Sequence, residues 1–408
     1  MITKHLLKEA KSIENTLINI RHHLHANPET GFDLPKTKTL VQEELQNMGY
    51  TPINCGKSGV IALAGGKRPG KVFLLRADMD ALPIKEETNL DYTSTNNYMH
   101  ACGHDMHTTM LLGAAKLLKE HEDEIEGTVK LMFQPAEELL EGSKNMIEYG
   151  VLQNPSVDAA LMIHVMTGVP IPTGSTVVCD SGVSAPAADY FTIQIQGKGC
   201  HGSTPNKGID PITVAAHITI ALQEIPAREL FLFEPAVLTI GTLQAGLASN
   251  VIPDTATLSG TLRAYDDETR EYIKRRLTEI ASGIAASFRA KATVSFPSGC
   301  PTLINDPDLS QYTLSYVQEL LGSSMAFPAN QLNTVSANGK EAHSSGSEDF
   351  AYISHEVPSI MLALAAGEPK KGYEYPLHHP KVMFDDSCLA IGSAVYAYTA
   401  LRWLQEHK

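Results

Sequence analysis

Lys71-Val72-Phe73-Leu74-Leu75-Arg76-Ala77-Asp78-Met79-Asp80 sets an apolar run of strand length directly against charged residues that packing does not require. The same grammar returns at residues 128–133, followed by Gln134-Pro135-Ala136-Glu137-Glu138, and at residues 159–163, followed by His164. Helical stretches at 108–122 and 143–149 lie between these runs, which predicts an α/β fold built on a mainly parallel sheet. Ligands of such sheets gather beyond the carboxyl ends of the strands, where these polar residues stand.

Upstream, Leu6, Leu7, Ala10, Ile13, Leu17, Ile20 and Leu24 recur at spacings of three and four, predicting one amphipathic helix ended near Asn27-Pro28; a second helix is predicted over 37–48. The middle of the chain reads as strand 190–196, helix 211–225, strands 237–240 and 256–264, helix 267–286 and strand 292–296. That order, βαββαβ, is a ferredoxin-like α+β unit. The α/β grammar then resumes with a helix over 309–321, a buried strand over 359–365 and a helix over 387–405. The expected organisation is therefore a discontinuous domain of residues 1–184 and 298–408, interrupted by an inserted domain of residues 185–297.

A chain of 408 residues has room for two or three units. With 43% hydrophobic and 19% charged residues it can bury a full core, which excludes general disorder. Acidic side chains outnumber basic ones by 46 to 32, giving a net charge of -14 that repels a phosphate backbone, so no nucleic-acid partner is expected. Lys8, Glu9, Lys11 and Glu14 interrupt the first apolar residues and no span of about 20 apolar residues occurs, so a soluble cytoplasmic protein without a membrane partner is expected. The six cysteines are too sparse for a disulfide scaffold and are expected as free thiols unless one binds metal.

Met99-His100-Ala101-Cys102-Gly103-His104-Asp105-Met106-His107 packs three histidines, a cysteine and an aspartate just before a predicted helix. In extended chain Cys102 and His104 point to the same side, and a thiolate with an imidazole suits zinc, manganese, cobalt or nickel. A His-rich loop is alternatively a solvated turn. Combination decides for a metal site: Asp78 and Asp80, Glu137 and Glu138, His164, and His378 and His379 would all arrive at one sheet edge. Of the adjacent carboxylates Glu137 and Glu138, one can ligate metal while the other polarises a water and carries its proton to a leaving nitrogen. The bland alternative is an acidic pair opening a helix. Asp78 and Asp80 could cap a turn or orient a ligand. His22, His23, His25 and His121 read as surface residues.

The strings RADMDALP (76–83), MHACGHDMHT (99–108), FQPAEE (133–138), His164 after a strand, GKGCHGSTPNKGIDPI (197–212), SNVIPD (249–254) with GTLR (260–263), SEDFAY (347–352) and LHHP (377–380) stand in an order that resembles the metal-dependent amidohydrolases. This is the family of hippurate hydrolase, N-acyl-amino-acid aminoacylases and auxin-conjugate hydrolases, relatives of carboxypeptidase G. The resemblance covers nearly the whole chain. It implies a metallopeptidase-like catalytic domain with an inserted lid or dimerisation domain, and two divalent ions (manganese, zinc, cobalt or nickel). It further implies metal ligation by Cys102, His104, Glu138, His164 and His378, with Glu137 as general base and acid and Asp80 as the carboxylate that tunes the site. His201, Asn250 and Arg263 match the residues that the inserted domain offers to substrate, sometimes across a dimer interface. An imidazole donor suits a tetrahedral oxyanion, and an arginine fork suits a free α-carboxylate.

The wider family places an aspartate where Cys102 stands, a histidine where Asp78 stands and, more commonly, a glycine where Cys200 stands. The implied substrate is a small N-acyl amino acid, and the implied assembly is a homodimer or homotetramer. The competing readings are a carboxypeptidase or dipeptidase on the same scaffold, a thiol hydrolase using Cys102, and a catalytically silent binding protein.

Overall fold

The computed structural model describes residues 5–332 and 346–408. They fall into two compact units, the larger holding residues 5–184, 304–332 and 349–408, the smaller residues 185–303 and 346–348.

The larger unit is built on a sheet in the order Ile53–Cys55, Gly59–Gly65, Thr128–Gln134, Val72–Asp78, Ala159–Met166, Ser359–Ala365, Thr176–Val178 and Ala326–Pro328. Val72–Asp78 runs parallel to both its neighbours, and Ala159–Met166 parallel to Ser359–Ala365. Antiparallel pairs join Gly59–Gly65 to the strands on either side of it. Every residue of Val72–Asp78 and Thr128–Gln134 is buried, which is why these strands read as continuous apolar runs rather than alternating ones. Helices His104–Glu120 and Leu389–Glu406 are buried along most of their length and join the strands in one hydrophobic core.

The fully buried Arg76 stands inside that apolar sheet because its guanidinium donates to Asp78 at 2.7 Å, Gln134 at 2.8 Å and Asp349 at 3.0 Å. A buried arginine in a strand is tolerated only with such partners.

The smaller unit has four antiparallel strands in the order Ala236–Ala245, Thr255–Ala264, Ala187–Gln196 and Lys291–Cys300, with helices Pro211–Ala221 and Asp267–Ser287 contributing to its core. This is a ferredoxin-like arrangement. Along Ala187–Gln196 the inward residues Phe191, Ile193 and Ile195 alternate with Tyr190, Gln194 and Gln196 outside. The caps Asp210 and Asp266 accept from the backbone N–H groups of Ile212 and Thr269, which fixes where each helix begins.

Several predicted elements differ from those found. The single amino-terminal helix is two, Leu6–Ser12 and Glu14–Ala26, broken at Ile13, whose backbone leaves the helical region while the apolar spacing continues unbroken. Strand 237–240 extends over Ala236–Ala245 because the chain passes Gly241 with a register shift rather than ending there. Strand Gly59–Gly65 was not predicted, since glycine at both ends mimics loop signals. All six cysteines are free thiols, and among the described residues no helix is long and apolar enough to cross a membrane.

Candidate metal centre

Strand Val72–Asp78 delivers two buried carboxylates. Asp78 lies between Arg76 and His107, accepting from the former at 2.7 Å and facing Nδ1 of the latter at 2.5 Å. Burial opposes its ionisation, but His104, His107 and Arg76 together hold its carboxyl well below the usual range. Asp80 accepts the backbone N–H of Glu137 at 3.0 Å and of Glu138 at 3.3 Å, pinning the turn that carries both glutamates to the end of this strand. Ala136 and Leu140, at φ 55° and 56°, bracket that turn with left-handed non-glycine backbone, a strain the surrounding contacts must hold.

Gly103 turns the His-rich loop into helix His104–Glu120 at φ 88°, and a Cβ there would lie 2.4 Å from Val165. Glycine alone fits. Cys102 and His104 are thus brought together by a left-handed turn into a helix, not by extended chain as the sequence suggested. From the strand Ala159–Met166, His164 donates Nδ1–H to the carbonyl of Val165 at 2.7 Å, leaving Nε2 as an acceptor 3.5 Å from Cys102 Sγ. Burial, reinforced by His107, lowers the His164 pKa to about 3 and keeps the ring neutral. His107 accepts the backbone N–H of Val165 on Nε2 at 2.8 Å, so its proton sits on Nδ1 toward Asp78 and both nitrogens are occupied. His378, at φ 65°, donates its backbone N–H to Ala101 at 2.8 Å and sets Nε2 3.6 Å from Glu138 Oε1.

Among the described residues five groups of three have donor atoms within 4.8 Å of one another: Asp78, His104 and His107; His104, Glu137 and Glu138; Glu137, Glu348 and Asp349; and two that contain a thiol, Cys102, His104 and His164, and Cys102, Glu138 and His378. The last two share the sulfur. Glu137 and Glu138 each approach His104 Nε2 to 3.9 Å, but of the two only Glu138 also belongs to a sulfur-centred group. Among the described residues, both ring nitrogens of His104 and Oε1 of Glu138 are buried without a well-formed hydrogen bond, the Asp80 carboxylate lying 3.4 Å from His104 Nδ1. Buried polar atoms are ordinarily satisfied, so these atoms fit a bound cation, and a set of sulfur, nitrogen and oxygen donors suits borderline divalent metals.

The electrostatics agree. Burial, with the Glu138 carboxylate, pushes the Cys102 thiol well above its ordinary value. Burial likewise pushes Glu138 up to about 7, with Asp80 and Asp78 adding to the shift and His104 opposing it. His104 is raised well above the imidazole value against the effect of burial, by Asp78, Cys102 and Asp80. The site gathers buried acidic groups whose ionised forms a cation would stabilise.

Seven residues singled out from the sequence, Asp80, Cys102, His104, Glu137, Glu138, His164 and His378, therefore share one region of the larger unit. His201, Asn250 and Arg263 lie on the smaller one. His201, exposed and paired in register with Val251, faces the hydroxyl of Ser203 at 2.7 Å, and the Asn250 carbonyl accepts from Gly202 at 2.8 Å. The Arg263 guanidinium donates to Thr261 and to the Leu262 carbonyl, over the ring of Tyr190.

Reading His25 as a surface residue is overturned: it is 1% exposed, with Nδ1 2.8 Å from Asp105 Oδ2. His22 and His121 are half-buried against Asp386 and Glu9, and only His23 of the four is exposed. The signal was present, since Leu17, Arg21 and His25 recur at every fourth position along one helix face.

The sequence profile described as peptidase family M20/M25/M40 matches residues 74–402. The chain is 35% identical over 399 residues to the N-acetyl-L-cysteine deacetylase of Bacillus subtilis (strain 168), covering 97% of this chain and 90% of that one. It is 34% identical over 409 residues to thermostable carboxypeptidase 2 of Saccharolobus solfataricus, covering 98% and 99%. A Bacillus subtilis crystal structure described as a dinuclear metal binding peptidase of family M20 superposes with a TM-score of 0.76 at 32% identity, covering 97% of this chain and 99% of that one. With a profile that spans most of its length and relatives of such identity over nearly all of it, this chain belongs to peptidase family M20/M25/M40 and is a metal-dependent amidohydrolase.

Proposed function

We propose that the protein hydrolyses the amide bond of N-acyl-L-amino acids, releasing a carboxylic acid and a free amino acid. The observation that carries this reading is the placement of Glu137 beside two donor groups that share Cys102. Cys102, His104, Glu138, His164 and His378 would hold two divalent ions, drawn from manganese, zinc, cobalt and nickel. When bound, the metal would polarise the scissile carbonyl and acidify a water.

The protein's own groups do the rest. Glu137 takes a proton from the attacking water and returns it to the departing nitrogen, so the amine leaves neutral and no covalent enzyme intermediate forms. Asp80 holds the backbone of both glutamates and thereby their aim. His201 would donate to the developing oxyanion, while Asn250 and Arg263 would bind the amino acid's carboxylate, the guanidinium by its bidentate fork. On this reading residues 185–297 form a substrate-side domain. Strand Ala236–Ala245, one of its two outer strands, is paired on one side only among the described residues and exposes Val237 and Leu243, which supports assembly as a homodimer or homotetramer. Sedimentation equilibrium of a homo-oligomer would give a multiple of the 44.2 kDa chain mass. The free thiols agree with a reducing, cytoplasmic setting.

The test is release of free amino acid from N-acetyl, N-benzoyl and longer N-acyl amino acids by manganese- or zinc-loaded protein, with a chelated control. Chelator-sensitive release is expected; no release with any metal would overturn the reading. The carboxypeptidase relative keeps one alternative in view. Faster turnover of dipeptides than of acylated single amino acids in the same assay would favour it.

A further inference from the structure

Arg21 and Asp105 form an ion pair whose side chains have no exposed surface, one residue beyond His104. Arg21 Nε donates to Asp105 Oδ2 at 2.8 Å, and its Nη1 donates to the Tyr92 hydroxyl at 2.7 Å and to Asp386 at 3.0 Å. His25 shares the same oxygen of Asp105 at 2.8 Å and reaches Glu86 at 3.2 Å with its other nitrogen. Glu86 accepts the backbone N–H of Ser94 at 2.7 Å, and Asp386 faces His22 at 2.8 Å. Glu86, His25, Asp105, Arg21 and Asp386 thus tie helix Glu14–Ala26, the segment 86–94, the first turn of helix His104–Glu120 and the turn Asp386–Cys388 to one another.

A buried ion pair contributes little to stability compared with apolar side chains of similar volume, whereas separating its members is heavily penalised. Fold stability alone is therefore a weak reason for this network; a fixed position for Asp105 is a strong one. Asp105 follows His104 directly in the first turn of the helix, and only Gly103 separates His104 from Cys102, so a fixed Asp105 restricts where the imidazole and the sulfur can stand.

We infer that Arg21 and His25 are positioning residues for the metal centre: by clamping Asp105 they set the separation of Cys102 and His104 that a bound ion requires. The inference rests on the proposed metal ligation. It concerns residues that touch no ligand atom and act through Asp105, so the effect of about 10- to 100-fold on metal affinity that is typical of partners bonded directly to a ligand is the upper range of what they can exert.

The test is titration of cobalt(II) into the metal-free full-length protein, followed by the sulfur-to-cobalt charge-transfer absorption that reports ligation by Cys102. Arg21→Lys keeps the charge but loses the fork, and is expected to weaken cobalt binding by about 10-fold and shift the band. Asp386→Asn, on the far side of Arg21, is expected to weaken it by a few-fold, with circular dichroism showing that each variant is folded. A folded Arg21→Lys protein with an unshifted band and an affinity within about twofold of the parent would overturn the inference. Should Arg21→Lys not fold, the same result for Asp386→Asn would overturn it. Absence of the band in the unaltered protein would instead overturn the assignment of Cys102, and this inference with it.

Discussion

Replacing Glu137 by glutamine is expected to lower turnover of the best N-acyl substrate by about 100- to 10,000-fold, the range that a positioned general base and acid supplies. On the assignment of the ions to the sulfur-centred groups, which do not include Glu137, bound metal measured by elemental analysis should stay at the parental level, even though Glu137 also stands within 4.8 Å of the donor atoms of His104 and Glu138. The amide keeps the size of the side chain and leaves the backbone bond to Asp80 in place, so the change isolates proton transfer. Near-normal turnover would remove Glu137 from the mechanism. Loss of metal together with turnover would make it a ligand rather than the base. Its equal 3.9 Å approach with Glu138 to His104 makes that outcome a real alternative to test.

Replacement of Cys102 by alanine should have a comparable effect by another route. The shared sulfur stands in both donor groups, so its removal is expected to reduce the metal content of both and to bring hydrolysis close to the metal-free level. The same residue sets the pH dependence of metal uptake. Burial, with Glu138, holds the Cys102 thiol well above its ordinary value, and burial holds Glu138 near 7, so around neutrality the metal-free site carries protons that a bound cation must displace. Apparent affinity should therefore rise with pH through 7 and fall below it as Glu138 protonates. Calorimetry in buffers of differing ionisation enthalpy should show proton release on metal uptake, with one proton fewer in Cys102→Ala than in the parent. Equal proton release by both would show that the sulfur is not a ligand.

Much of this centre was legible in the chain because each part is a local event. An apolar run that stops at Asp78, Gln134 or His164 announces a strand whose end is occupied by polar residues, and parallel α/β sheets collect such ends at one edge. Cys102 and His104 were identified together, but for the wrong geometric reason. Only the folded chain shows that Gly103 turns left-handed between them and that Val165 and Phe384 leave no room there for a Cβ.

His107 shows the converse. By composition it was as good a candidate ligand as His104, and its engagement by Asp78 and by the backbone of Val165, which comes from another strand, sets it apart. His25 was misjudged since its partner Asp105 lies 80 residues away. A charged helix face looks solvated until the packing across it is known. The break at Ile13 and the shifted register at Gly241 escaped for a related reason: hydrophobic period records which face is buried, not where the backbone changes direction.

By itself, then, the sequence determined the α/β grammar, the βαββαβ order of the middle segment and the residue types fit to hold a metal. These depend on periodicity and on side-chain chemistry, both of which are local. Tertiary structure alone decided which histidine keeps its nitrogens free, which acidic pair belongs with the sulfur, and which charges are buried in the network around Asp105. Those outcomes follow from hydrogen bonds and desolvation between residues far apart in the chain, and no local pattern encodes them.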